Sequence, residues 1–208
     1  MELSKLYDAV LLGKLEDAVG TVNEALEAGV EPNVLINEYM VKGMEEIGAR
    51  FEAGKAFVPN LLMSARAMKG ALEILKPLLK GENSVSMGKI VIGTVKGDLH
   101  DIGKNLVASM LEGCGFEVVN LGVDVSAEKF IESAKSENAD IICLSALLTT
   151  TMTYMEEVVK KVKESGLNVR IMVGGAPLSN EFSQKIGACG YSENANAAVA
   201  LAKSLMAS

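Results

Sequence analysis

Residues 89–111 read KIVIGTVKGDLHDIGKNLVASML, and this stretch decides the fold. Its first part, residues 89–95, is a short apolar run of the length of a buried strand. A loop with a glycine follows, and from about residue 101 to 114 the apolar residues return at helical spacing. A buried strand followed directly by a helix is typical of a parallel sheet, because helices cover both faces of such a sheet.

The same unit recurs to the end of the chain. Three further apolar runs predict strands at residues 117–122, 140–147 and 170–175. Helices are predicted at about residues 126–137, 151–165 and 179–187, with a last helix at 194–206 after a short CGY segment. This alternation predicts an α/β domain over residues 89–208, built on a doubly wound parallel sheet.

The first 80 residues have the period of helices alone. Four segments carry apolar residues on one face and are separated by short turns, for instance between Gly29 and Pro32. They predict a four-helix bundle over residues 1–80. The small and polar stretch GENSVSMG, residues 81–88, is predicted to link the two domains.

Composition excludes several classes of protein. The net charge of −7 and the absence of a run of basic and aromatic residues argue against binding to nucleic acid or to an anionic membrane. The chain has no leader-like segment and no apolar stretch long enough to span a bilayer. Three cysteines, odd in number and without a CxxC pair, are typical of reduced thiols. We therefore expect a cytoplasmic protein.

Chemistry-bearing residues follow the predicted strands. KGDLHDIGKN follows the first strand, SALLTTT the third and GGAPLSN the fourth. Because ligands of open parallel sheets bind beyond the carboxyl ends of the strands, these three segments predict a site on one edge. The glycines leave room for a bulky ligand, and the helix that begins near Asp101 directs free N–H groups toward this edge, an arrangement that suits a phosphate.

His100 is the single histidine of the chain, and Asp98 lies two residues before it. A carboxylate that accepts a hydrogen bond from one ring nitrogen makes the other a better metal ligand. One histidine cannot build a zinc site, but it can be one axial ligand of a metal that brings its other ligands with it. A general base paired with Asp98 and an ordinary solvated loop histidine are the alternatives, and the short motif alone leaves both open.

The spacing of three elements favours the metal ligand. From Gly103, 41 residues intervene before Ser145-Ala146-Leu147, and from Leu147 another 26 intervene before Gly174-Gly175. The set resembles the cobalamin-binding signature D-x-H-x-x-G, S-x-L, G-G. Residues 51–68, FEAGKAFVPNLLMSARAM, are similar to the helical cap of methyl-carrying corrinoid proteins. The likeness covers nearly the whole chain and implies a flavodoxin-like (Rossmann-type) sheet domain with a helical cap. It extends to the corrinoid proteins of methylamine, methanol, betaine and aryl methyl ether demethylation and to the cobalamin-binding modules of methionine synthase.

The resemblance assigns roles to residues of this chain. His100 is implied to be the lower axial ligand of cobalt, Asp98 its hydrogen-bond acceptor, and Thr151 the hydroxyl that completes a relay. An N-cap for the following helix is the alternative role of Thr151. The implied cofactor contacts on the sheet domain are Gly97, Asp98, Leu99, His100, Asp101, Ile102, Gly103, Ser145, Leu147, Thr149, Gly174, Gly175 and Tyr191. Those on the cap, over the methyl-bearing face, are Phe51, Val58 and Leu61.

The function implied is that of a corrinoid-dependent methyl carrier that cycles between Co(I) and methyl-Co(III) and is not catalytic alone. Its implied partners are a substrate-specific methyltransferase, a second methyltransferase with a folate or thiol acceptor, and a reductive activase. The alternatives are a corrinoid-binding subunit of a radical isomerase, a cobalamin-based sensor, and a generic flavodoxin-like domain without cobalt. Cys189, where relatives commonly have Asp, is expected on the loop near the nucleotide tail of the cofactor.

Overall fold

The structure is a computed structural model that describes residues 2–79 and 87–207. Contacts divide these residues into two compact units. The first holds residues 2–79 with Glu112–Gly115, and the second holds Met87–Leu111 with residues 116–207. Most of the predicted linker, residues 81–86, lies outside the described residues, so the domain boundaries at 80 and 89 stay a prediction.

The first unit consists of helices, as its period predicted. These are α1 (Ser4–Leu11), α2 (Leu15–Glu27), α3 (Pro32–Val34), α4 (Val41–Glu52) and α5 (Val58–Leu75). A π-helical turn, Leu35–Met40, joins α3 to α4, so these two segments are the third of the four predicted helices. Where α5 begins, the Asn60 side chain accepts a hydrogen bond from the Phe57 N–H at 2.9 Å. This contact satisfies a donor that the helix start would otherwise leave without a partner.

The second unit contains a sheet of five parallel strands in the order β2-β1-β3-β4-β5. The strands are β1 (Lys89–Thr94), β2 (Glu117–Asn120), β3 (Ile141–Ser145), β4 (Arg170–Gly174) and β5 (Gly190–Ser192). The helices between and after them are α6 (Ile102–Gly113), α7 (Ala127–Glu137), α8 (Thr149–Met152), α9 (Tyr154–Glu164), α10 (Asn180–Ile186) and α11 (Ala195–Ala207). The predicted fold class is therefore confirmed.

Burial on both faces explains why the strands read as unbroken apolar runs. Ile90, Val91 and Ile92 of β1 are successive residues that point to opposite faces, and all three are buried. On one face of the sheet, Phe130 of α7 packs directly against Gly93 of β1. A Cβ on Gly93 would lie 2.8 Å from the Phe130 ring, which is too close for a side chain. Glycine at this position lets α7 approach β1.

The strand order places a crevice between β1 and β3. The chain leaves β1 toward β2 on one side and returns past β1 to form β3 on the other, so these neighbours are the point where the winding reverses. The register pairs Thr94 at the end of β1 with Ser145 at the end of β3, and Ser145 with Gly174 at the end of β4. The three predicted ligand-binding segments therefore start side by side on one edge.

One local prediction was wrong. The helix predicted at 151–165 begins earlier and is divided at Thr153 into α8 and α9. Cys189 lies in the loop just before β5, and its N–H donates to the Ile171 carbonyl near the start of β4. Its expected place near the nucleotide tail of the cofactor stays a prediction.

Candidate functional site

The loop after β1 is held by its backbone before any ligand is considered. Thr94 Oγ1 donates to the His100 carbonyl at 2.8 Å, and the Asp98 N–H donates to the Val95 carbonyl at 3.1 Å. Gly97 has φ of +84°, in the left-handed region that favours glycine. The turn therefore brings the Asp98 side chain back under the loop while the His100 ring remains half exposed.

Asp98 is the centre of the site. It is fully buried, and each of its oxygens accepts hydrogen bonds. Oδ1 accepts from the His100 N–H at 3.0 Å and faces His100 Nδ1 at 2.7 Å. Oδ2 accepts from Thr151 Oγ1 at 2.6 Å and from the Leu147 N–H at 2.8 Å. The carboxylate thus joins the loop after β1 to the segment after β3.

These contacts keep Asp98 ionised. Burial by itself would raise the pKa of the carboxyl, but hydrogen bonds from Thr151, from the Leu147 and His100 N–H groups and from the His100 ring outweigh it. The pKa of Asp98 is held well below its usual range. An ionised carboxylate only accepts hydrogen bonds, so His100 Nδ1 carries the proton in this contact, and in the neutral ring Nε2 then keeps its lone pair. A half-exposed ring with that tautomer presents one nitrogen ligand.

Thr151 supplies a hydroxyl to the carboxylate, as the resemblance implied. Its single hydroxyl hydrogen faces two acceptors, Asp98 Oδ2 at 2.6 Å and the Leu148 carbonyl at 3.1 Å. The shorter contact is the charged one, which is also the stronger. The alternative N-cap role is wrong, because Thr151 lies inside α8 and Leu148 is the N-cap.

We expect Thr151→Val to lower the free energy of unfolding by about 1–3 kcal/mol at pH 7, since a buried carboxylate loses a donor. Thr151→Ser, which keeps the hydroxyl, is the matched control and should lose about 1 kcal/mol or less. Urea unfolding measures both. Equal losses in the two variants would show that the methyl group matters and the hydrogen bond does not.

The deficit of Thr151→Val should also depend on pH. Because the pKa of Asp98 is lowered in the folded state, its hydrogen bonds stabilise the protein above the pKa of the unfolded chain, about 4, and this contribution is lost as the pH falls below that value. The unfolded state of Asp98 is common to both variants, so the difference between the wild type and Thr151→Val is largest near neutral pH and shrinks only as the pH falls through the lowered pKa of Asp98 in the folded state. A difference that grows as the pH falls from 7 to 3 would contradict the assignment.

Large apolar side chains lie next to His100 in the sequence and in the segment after β3, and they are exposed. Ile102 is 87% exposed and Leu99 72%, and Leu147 and Leu148 are exposed as well. Burying such side chains stabilises a protein by about 1.5–3 kcal/mol each, and several exposed together typically mark a surface that binds something. A ligand with a broad, partly apolar face fits this rim.

Glycines leave space at the same edge. A Cβ on Gly175, whose φ is +139°, would lie 1.9 Å from the Ala146 carbonyl oxygen, so only glycine lets the segments after β3 and β4 lie so close. A Cβ on Gly103 would meet no heavy atom within 4 Å among the described residues, so this glycine borders open space. Ser145 and Gly174 pair side by side at the strand ends. A narrow, polar part of a ligand could lie along this edge.

The remaining predicted contacts divide into two groups. Thr149 is exposed at the start of α8, Asp101 Oδ2 accepts from Asn105 Nδ2 at 3.0 Å, and Tyr191 is half-buried beside the end of β4. In the helical unit, Phe51 is half-buried in the last turn of α4, Val58 is exposed at the start of α5, and Leu61 is fully buried. A role of these three in covering a ligand stays a prediction.

Sequence reasoning missed a buried ammonium next to the loop. Lys104 is 3% exposed, and its Nζ donates to Asn105 Oδ1 at 2.6 Å and to Asn120 Oδ1 at 2.7 Å. Burial lowers the pKa of Lys104, although the nearby Asp101 carboxylate opposes the shift. A lysine is usually exposed, and the sequence carries no signal that Asn120, 16 positions away, would receive it. The pair fixes the first turn of α6 against the end of β2.

The donor set selects the kind of metal. Within residues 2–79 and 87–207 no three His, Cys, Asp or Glu side chains come together as a metal site. His100 alone therefore fits a metal whose other positions are filled by a macrocycle, and the apolar rim fits the edge of such a ring. The residues present thus fit a corrinoid. None of the described helices is long and apolar enough to span a membrane.

Comparisons with known proteins support the same kind of cofactor. Residues 88–200 match the B12 binding domain family, and residues 2–76 match a second family of the same description. A dimethylamine corrinoid protein of Methanosarcina acetivorans is 47% identical over 208 residues, which is 99% of this chain and 97% of the relative.

Two solved structures have the same architecture along the whole chain. A chain of the methanol:cobalamin methyltransferase complex MtaBC from Methanosarcina barkeri matches with a TM-score of 0.85 at 33% identity, over 99% of this chain and 80% of that one. A cobalamin-binding protein from Desulfitobacterium hafniense DCB-2 matches with a TM-score of 0.82 at 32% identity, over 98% of each chain.

Proposed function

The chain belongs to the B12 binding domain family, and from this premise we propose that it is the methyl-carrying component of a corrinoid-dependent methyltransferase system. The observation that carries the proposal is the unbroken connection from Thr151 through Asp98 to His100, with Nε2 of the ring left free beside an apolar rim. The relatives that support it are corrinoid proteins matched over nearly their full length. The cofactor is a cobalamin.

Several residues would hold that cofactor. His100 would supply a nitrogen ligand to cobalt, and Leu99, Ile102 and Leu147 would lie against the macrocycle. Ser145, Gly174 and Gly175, at the ends of β3 and β4, would accommodate its nucleotide tail. When bound, the cofactor supplies a cobalt centre that accepts a methyl group and gives it up again.

The residues of the chain orient the imidazole and manage its proton. Asp98 keeps the proton on Nδ1, so Nε2 offers its lone pair whenever a metal is present. If Nε2 is released, it can take up a proton, and the buried carboxylate, held by Thr151, then balances the charge of the ring. Metal binding and proton binding at His100 are thus coupled, as is general for such ligands.

In this proposal the chain carries the methyl group and partners deliver and remove it. The ring at the site is hydrogen-bonded to Asp98 and serves as a ligand rather than as a base. The match to a methyltransferase complex supports a substrate-specific methyltransferase as the first partner. A second methyltransferase with a folate or thiol acceptor, and a reductive activase, complete the proposal.

The relatives also suggest the methyl donor. The 47% identity to a dimethylamine corrinoid protein, over nearly full length, supports a methylated amine as the compound that the first partner demethylates. The donor never needs to touch this chain, because the partner recognises it.

Transfer of label tests the proposal. The chain is reconstituted with hydroxocobalamin, reduced anaerobically, and incubated with 14C-methyl dimethylamine and a dimethylamine-specific methyltransferase. We expect label to elute with the chain only when cofactor and methyltransferase are both present. The matched control is the His100→Ala chain prepared in the same way. If wild type retains cofactor but takes no label from dimethylamine or methanol with their methyltransferases, the methyl-carrier function fails.

A further inference from the structure

The loop that carries His100 is fastened by a residue on the far side of β1. Asp124 lies four residues beyond the end of β2. Its Oδ1 accepts a hydrogen bond from the Gly97 N–H at 2.7 Å, and its own N–H donates to the Asp98 carbonyl at 3.0 Å. Asp124 therefore forms hydrogen bonds with the main chain on both sides of the Gly97–Asp98 peptide bond.

Asp124 itself is held in an unusual conformation. Its φ is +55°, and among the described residues only Asn138 shares a positive φ without being glycine. The left-handed region costs an L-residue about 1–2 kcal/mol, although Asp and Asn tolerate it best. The next residue, Val125, donates to the Thr94 carbonyl at 3.0 Å, and this contact fixes Asp124 relative to β1. Asp124 is thus held next to β1, the strand that leads into the loop with which Asp124 forms its hydrogen bonds.

The hydrogen bonds of Asp124 affect the orientation of the His100 imidazole. Within the described residues, the Gly97 N–H has no hydrogen-bond acceptor other than Asp124, and glycine has no side chain to restrict its rotation. Rotation at Gly97 would carry the Asp98 backbone with it, and the Asp98 carboxylate sets the tautomer and direction of the His100 ring at 2.7 Å. Rotation of the main chain at Gly97 would therefore change the direction of the His100 ring, three residues later.

We propose that Asp124 is a positioning residue for His100, which clamps the loop so that the Asp98–His100 pair is formed before the cofactor binds. Its hydrogen bonds go to the main chain of Gly97 and Asp98, and the His100 ring is hydrogen-bonded to Asp98 instead. Its predicted effect on cofactor affinity rests on the proposed function, whereas its effect on the free chain does not.

Three variants separate the contributions. Asp124→Gly keeps the left-handed backbone and the Asp124 N–H but removes the side-chain acceptor. Asp124→Asn keeps an acceptor oxygen and tolerance of positive φ, so it should restore the clamp. Asn138→Gly, at the C-cap of α7, makes the same kind of change at the other positive-φ residue, away from the loop.

In the cofactor-free chain, we expect Asp124→Gly to speed hydrogen exchange of the Gly97 amide about tenfold, the effect of losing one hydrogen bond to a charged group. The 15N resonances of His100, which are unambiguous because the chain has one histidine, should shift toward a mixture of tautomers. The Kd for hydroxocobalamin should rise about tenfold, as when other residues that orient a metal ligand are removed. Asp124→Asn and Asn138→Gly should match wild type in all three measurements.

Unchanged Gly97 exchange and His100 resonances in Asp124→Gly would overturn the proposal. So would an Asp124→Asn chain as impaired as Asp124→Gly, or the same changes in Asn138→Gly, which would show a general loss of stability. If no variant and no wild-type chain binds hydroxocobalamin while Asp124→Gly still alters Gly97 and His100, the proposed function fails and the positioning role stands.

Discussion

His100→Ala is expected to lower the affinity of the chain for hydroxocobalamin by about 100-fold or more, because removing residues that only orient a ligand already costs about 10- to 100-fold. The corrinoid that still binds should lose the absorption spectrum of nitrogen ligation from the protein. An equilibrium titration followed by absorption, on anaerobically prepared protein, measures both effects. The expectation rests on the single free Nε2 at the site, since among the described residues no other metal-ligating cluster offers a substitute.

The fold should survive this substitution. Asp98 keeps its hydrogen bonds from Thr151 and Leu147, and the main-chain N–H of residue 100 remains to donate to Oδ1. Lys96→Ala, an exposed change in the same loop, is the matched control and should bind normally. Added imidazole should restore nitrogen ligation in His100→Ala by occupying the space of the missing ring. A variant that binds as tightly as wild type with an unchanged spectrum would remove His100 from the metal.

Gly175→Ala is expected to lower the free energy of unfolding by about 3–5 kcal/mol, through a main-chain clash and a φ that alanine rarely adopts. The added Cβ would lie 1.9 Å from the Ala146 carbonyl oxygen, and neither atom belongs to a flexible side chain. The ends of β3 and β4 must then separate, so cofactor binding should weaken even in the fraction that folds. Urea unfolding and the hydroxocobalamin titration measure the two losses separately.

Two glycines provide controls for the separate causes. Gly166 has φ of +71° but open space around it, so Gly166→Ala should cost only the left-handed penalty of about 1–2 kcal/mol. Gly103 borders open space, and its φ carries no such penalty. Gly103→Ala should therefore leave stability unchanged, and any loss of cobalamin binding would show that the cofactor uses the space. If Gly175→Ala costs no more than Gly166→Ala, the close approach at Ala146 is not what requires glycine.

The sequence predicted well wherever the signal was local. The unbroken apolar run of β1 predicted a strand, because a strand that is buried on both faces carries apolar residues at every position. The pair of Asp98 and His100 was predictable because a turn brings residues two positions apart together, and the structure places the atoms 2.7 Å apart. The four helices of the first unit followed from their period.

Contacts across strands were out of reach of such reasoning. In the sequence, Asp124 cannot be told apart from any solvated carboxylate in a polar loop. Lys104, on an amphipathic helix, likewise cannot be told apart from an exposed lysine. The sequence also does not show where β5 begins relative to β4, so it does not predict that the Cys189 N–H donates to the Ile171 carbonyl. Thr151 entered through resemblance to a family, since no rule of spacing links it to a carboxylate 53 residues earlier.

By itself, the sequence determined that the chain has a helical region followed by an α/β region. It also determined the edge of the sheet that carries the candidate site and the one imidazole available to a metal. These follow from periodicity and from short-range turns, which depend on neighbours along the chain. Only the tertiary structure decided which groups surround Asp98, which conformation Asp124 adopts, and why Gly175 must be glycine. Each of these depends on the register between parallel strands, and register is set by the packing of the whole sheet rather than by any segment that forms it.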